Sequence, residues 1–167
     1  DEAYEPWMKV RGECPKLNVA IYSYGERILK ERIKNLSQEE AEAAKIDLMK
    51  LYDNWILNFP TKRNVKVVGD ILSSKAQSML DYKIANKEEA YKIFDEAYSR
   101  DPLSFTNPKE LYNYFKTYYE LYKDGVDGIT MEKLFIKFEE VSEKFEIEST
   151  NLSKKLDLIL LIKMVFY

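Results

Sequence analysis

DEAYEPWMKVRGECP at residues 1–15 and EEAYKIFDEAYSRDP at residues 88–102 align without a gap. Ala3 meets Ala90, Tyr4 meets Tyr91, Trp7 meets Phe94, Val10 meets Ala97 and Pro15 meets Pro102. A third copy, LMKLYDNWILNFP at 48–60, puts Leu48, Tyr52, Trp55 and Pro60 in the corresponding places. The prolines stand 45 and 42 residues apart. Self-similarity at such a period marks an array of stacked supersecondary units.

The segment after each proline repeats as well. Ile21, Tyr24, Gly25 and Ile28 return as Val65, Val68, Gly69 and Leu72, with the two glycines 44 residues apart. Gly costs about 1 kcal/mol in a helix interior relative to Ala, so two of them at the repeat period predict helices packed too closely to admit a Cβ. The third copy of this segment, Leu111, Tyr114, Phe115 and Tyr118, has Phe115 at the glycine position, which predicts a wider spacing or another register there.

The remaining signals are helical. Ile46, Met49, Tyr52, Ile56 and Phe59 form one stripe with charges opposite. Ser37-Gln38-Glu39-Glu40 is a capping box, Asn86 precedes Glu88-Glu89, and Asn107-Pro108 pairs an N-cap with a proline at the first helical position. The spacing predicts eight helices over 1–13, 17–35, 38–59, 64–85, 87–100, 108–123, 131–146 and 150–164. Alternating strand patterns are lacking. Short connections make successive helices antiparallel neighbours. The expected class is all-α, an α-solenoid of about four antiparallel helix pairs in one domain, 1–167.

The pattern resembles tetratricopeptide repeats. Ala90, Phe94, Ala97 and Pro102 match the second helix of that family's unit, Ala3, Trp7, Val10 and Pro15 match it nearly as well, and Ile21, Tyr24, Gly25 and Ile28 match its first helix. The units here are longer, and the final pair has no closing proline. The resemblance implies a right-handed superhelix, and places residues 1–15 as the second helix of a pair whose first helix is missing. An exposed apolar face near Trp7, or disorder there, is the corresponding expectation. Taken whole, the chain looks like tetratricopeptide-like proteins of Bacteroidota, which are usually exported; that resemblance implies a periplasmic or exported compartment, and no reaction. The chain opens Asp1-Glu2-Ala3 without Met or signal peptide, and so reads as processed or as a fragment.

Composition narrows the chemistry. Among 167 residues there is no His and one Cys. This excludes Ser-His-Asp triads, His-ligated metals and internal disulfides. A net charge of -3 argues against a nucleic-acid partner. Asp124-Gly125-Val126-Asp127-Gly128-Ile129 lacks the oxygen ligands of a calcium loop when Gly128 takes the invariant glycine place, so it reads as a turn. Cys14 shows no activating neighbours, and Glu39-Glu40, Glu88-Glu89 and Glu139-Glu140 read as solvated helix faces. No glycine-rich phosphate loop or nucleophile elbow occurs. No catalytic residue, metal or cofactor is expected. The closing run from Leu156 to Tyr167 is apolar, yet short of the roughly 20 residues that span a bilayer; it reads as a packed terminal helix or a partner-binding tail.

In the resembled family the first helix of each pair lines a concave face that typically holds a peptide or a partner protein. Here the outward positions of those helices are Tyr22, Glu26 and Lys30, then Lys66, Asp70 and Ser73, then Lys109, Tyr112, Lys116 and Tyr119. Tyrosines with charges of both signs suit a polar peptide contact. The expected function is a non-enzymatic interaction scaffold. The alternatives are a self-assembling subunit, joined through the incomplete N-terminal pair, or a small-molecule binder or enzyme with a Tyr/carboxylate groove.

Overall fold

The computed structural model describes residues 2–59 and 67–166, with side chains as far as 154. Seven α-helices and no strands occur among them: α1 (Tyr4–Glu13), α2 (Ala20–Asn35), α3 (Gln38–Asn58), α4 (Val68–Asp81), α5 (Lys87–Arg100), α6 (Pro108–Lys123) and α7 (Met131–Phe166). The all-α expectation is met. Contacts divide the chain into two compact units, Asp1–Ser104 and Phe105–Tyr167.

The first unit holds α1 to α5. Tyr22 at the start of α2 bonds Asn58 at the end of α3, and Glu26 bonds Tyr52 one level along, so the two helices run antiparallel. Asp53 and Tyr52 of α3 meet Lys75 and Ser78 of α4 in the same sense. The start of α4 lies against the end of α5, where Gly69 faces Asp101 and Ser104. Tyr22, Leu29, Leu48, Leu51, Tyr52, Trp55 and Ile71 form a fully buried core.

The three helices that precede prolines end alike. Their closing residues, Cys14, Phe59 and Asp101, have φ of -135, -135 and -153° and ψ of 59, 67 and 70°. A following proline disfavours the helical conformation at each of them. Their N–H groups donate to Val10, Trp55 and Ala97, the three residues that the repeat aligns, so the register read from the sequence is also a register of hydrogen bonds.

Both glycines exclude a Cβ, but against different neighbours. At Gly25 it would strike the Trp7 ring of α1, with Cε2 at 2.7 Å. At Gly69 it would strike the Asp101 carbonyl and the Ser104 hydroxyl at the end of α5. Repeat-equivalent glycines thus admit a preceding helix in one copy and a following turn in the other.

Two boundaries differ from expectation. The helix predicted over 64–85 ends at Asp81, because Lys83 takes a positive φ of 53° and Ile84 N–H donates back to the Met79 carbonyl. A lysine in the place that usually holds glycine hides this stop. The helices predicted over 131–146 and 150–164 are one, α7, of 36 residues. Ser149-Thr150-Asn151 favours a cap but does not impose one, since none of the three lacks an N–H or clashes with the preceding turn as proline does.

In the second unit α6 packs on α7. Leu111, Tyr114, Tyr118 and Leu121 are buried with Leu134 and Val141, and the Lys137 ammonium donates to the Tyr114 hydroxyl at 2.8 Å. Phe115, standing where other copies have glycine, meets Phe138 of α7 edge-on at 5.4 Å. α6 closes at Gly125, whose φ of 72° makes the turn.

Candidate functional site

The outward positions expected on α2 are not outward. Tyr22 is fully buried: its hydroxyl donates to the Pro15 carbonyl and accepts from Asn58 at 2.7 Å, and its ring stacks on Trp55. Burial pushes its hydroxyl above the ordinary value of 10.0, against smaller lowering pulls from the Asn58 hydrogen bond and Arg11. Glu26 is buried too, accepting from Tyr52 and from Lys30, each at 2.8 Å. Lys30 is therefore a half-buried partner of Glu26. On α4, Ser73 is buried and donates to the Asp70 carbonyl, and Asp70 is half-buried with its N–H bonded to Ser104. Lys66 lies outside the described residues. The physical reason is that α2 is flanked on two sides. Ile21, Gly25 and Ile28 face α1, while Tyr22, Glu26 and Leu29 face α3. Removing one packing stripe from the helical wheel leaves the second stripe looking falsely free.

The α6 positions are exposed as expected. Lys109, Tyr112, Lys116 and Tyr119 follow one stripe at three- and four-residue steps, with Tyr112 57% and Tyr119 44% exposed. Lys116 pairs loosely with Glu120 at 3.9 Å, and the Lys123 ammonium lies 5.8 Å from the Tyr119 ring.

A larger feature lies between α1 and α2. An open groove of about 860 Å³ runs along the two helices, lined chiefly by Tyr4, Trp7, Val10, Tyr24 and Ile28. Trp7 forms its floor, 8% exposed, with its indole N–H donating to the Ile21 carbonyl at 2.7 Å. Tyr24 stands 59% exposed and Val10 39%. Arg27, Glu31 and Arg32 stand among its lining residues, and the Arg32 guanidinium stacks 3.8 Å from the Tyr4 ring centroid. An apolar face thus lies around Trp7, ordered rather than disordered.

The repeat makes this groove informative. Ala3, Trp7 and Val10 align with Leu48, Tyr52 and Trp55 and with Ala90, Phe94 and Ala97. All six of those counterparts are fully buried, whereas Ala3 and Val10 are exposed. In the second copy α2 supplies cover, Tyr22 against Trp55 and Glu26 against Tyr52. Of the two counterparts of Tyr24, Tyr114 is fully buried and Val68 half-buried. The groove is the place where a helix stands in the next copy. Comparing burial between copies requires coordinates.

The turn and capping readings are matched by geometry. Gly125 and Gly128 both take positive φ in a turn. No metal-binding cluster occurs among the described residues. Cys14 is an exposed free thiol. Glu40 and Glu89 serve as capping-box partners of Ser37 and Asn86. No helix among the described residues is long and apolar enough to cross a membrane. No family model, curated protein or solved structure matches the chain.

Proposed function

We propose that this protein is a non-enzymatic protein-interaction scaffold, a tetratricopeptide-like α-solenoid that binds a helix or peptide of a partner. The observation that carries this reading is the open apolar groove between α1 and α2, where Ala3, Trp7 and Val10 hold positions that are fully buried in the other copies. A stretch this apolar on a small helical unit marks a contact surface. Large rings with few rotatable bonds, Tyr4, Trp7 and Tyr24, suit such a contact because little side-chain entropy is lost when they are covered. The enzymatic alternative needs paired carboxylates with separated roles, and the groove has one carboxylate among its lining residues, Glu31. The exposed α6 stripe is a separate, polar surface in the second unit, and takes a secondary place.

The test is affinity capture from a native extract with three baits: the natural chain, a Tyr24→Glu/Ile28→Glu variant, and a Tyr112→Ala/Lys116→Glu/Tyr119→Ala variant. Circular dichroism checks that each is folded. A protein held by the natural chain and the α6 variant, and lost by the groove variant, is the expected result. One lost only by the α6 variant would move the site to that stripe. Equal capture by all three baits would sink the reading.

A further inference from the structure

The groove asks for a helix, and the same chain carries a helix that asks for cover. α7 is 36 residues long and α6 is 16, roughly 54 Å against 24 Å at 1.5 Å per residue. The second half of α7 therefore outruns its partner. Past Ser149 the described side chains, Thr150 to Lys154, are all exposed, so no side of the helix is covered there. The sequence then turns apolar, with Leu156, Leu158, Ile159, Leu160, Leu161, Ile162, Met164, Val165 and Phe166 interrupted by Asp157 and Lys163. A helix apolar all round is stable in water only when something covers it.

We propose that the C-terminal end of α7 in one molecule seats in the α1/α2 groove of a second copy. This rests on the reading of that groove as a helix-binding site, and names its occupant. Length agrees: the eleven helical residues from Leu156 to Phe166 span about 16 Å, close to the length of α1 and within that of α2. Chemistry agrees: an apolar rod meets an apolar floor, and its one acid and one base meet a groove that carries Arg27, Arg32 and Glu31. The internal repeat supplies the precedent, since the equivalent positions of the next copy are covered by a helix. Groove and tail are different surfaces, so the contact is head-to-tail and need not stop at two molecules.

Analytical ultracentrifugation of the full chain tests this. Two variants accompany it, Val10→Asp/Tyr24→Asp in the groove and Leu156→Glu/Leu160→Glu in the tail. Val10 and Tyr24 are exposed, and circular dichroism verifies folding of both proteins. Over about 1 to 100 µM, a range that saturates a contact of micromolar affinity, the natural chain should grow past twice its monomer mass. Each variant alone should remain a monomer. An equimolar mixture should form a species of two chains and nothing larger, because only one tail and one groove remain intact. A monomeric natural chain, a tail variant that assembles as the natural chain does, or a mixture that stays monomeric would each overturn the proposal. A monomeric chain whose captured partner is still lost on groove substitution would leave the scaffold reading standing while this one fell.

Discussion

At the scale of single residues, the two interior glycines are the most demanding positions. Gly25→Leu places a side chain into the Trp7 ring, and overpacking of this kind costs about 1–3 kcal/mol, more than the helix propensity it gains. A loss under about 0.5 kcal/mol in urea unfolding would remove Gly25 from the α1/α2 contact, since that lies within the usual noise of surface substitutions. Gly69→Ala should be worse tolerated than Gly25→Ala, because Gly69 faces a backbone carbonyl, which cannot change rotamer, whereas Trp7 is a side chain. The sequence made both glycines visible through their spacing. It did not reveal that they face different neighbours, because periodicity records that a contact recurs and not which partner makes it. Tyr22 shows the opposite failure. Its place on the helical wheel looks outward, yet its hydroxyl is held between Pro15 and Asn58. Tyr22→Phe should cost about 1–2 kcal/mol for those bonds. Burial raises the hydroxyls of both Tyr22 and Tyr82 above 10.0, so their neutral forms are favoured in the fold. That contribution is intact below pH 10 and drains away as pH rises through the raised values. Thermal melts above pH 10 should show the decline, with a smaller one in Tyr22→Phe.

At the scale of helices, ends were more legible than interiors where the signal was covalent. Proline after Cys14, Phe59 and Asp101 favours one closing conformation, seen three times, and Asn107-Pro108 opens α6 as read. Where the stop rests on a lysine at positive φ, as at Lys83, or on residues that tolerate both outcomes, as at Ser149-Thr150-Asn151, local sequence does not decide. The Ser37 cap offers a clean check. The Ser37 hydroxyl and N–H both donate to the Glu40 carboxylate, the hydroxyl at 2.6 Å, and hydrogen bonding from the Ser37 side chain, then its backbone, holds that carboxyl below its ordinary 4.5. The ionised form is thus favoured in the fold; its contribution is present above pH 4.5 and lost as pH falls through the lowered value. Ser37→Ala should destabilise the protein at neutral pH and less in acid, as read from denaturant midpoints at the two conditions.

At the scale of the molecule, the class and the pairing of neighbouring helices followed from period and caps, while the site did not. A helical wheel assumes one buried stripe, and α2 and α4 have two. Only α6 keeps the exposed stripe expected of it. The Tyr112→Ala/Lys116→Glu/Tyr119→Ala variant should therefore unfold within about 0.5 kcal/mol of the natural chain, the usual range for surface changes. A larger loss would place those tyrosines in a packed core instead.

The two tryptophans occupy different worlds. Trp55 is sealed in the core of the first unit, while Trp7 is the floor of the groove. Their fluorescence divides accordingly. In a Trp7→Phe protein, emission follows the melting of the core alone. In a Trp55→Phe protein it comes from Trp7 alone, 8% exposed at the groove floor, and answers a helix laid over that ring through a change in its surroundings. The molecule thus carries, without any dye, one optical channel for its deep core and another for the α1/α2 contact where the proposed occupant would lie.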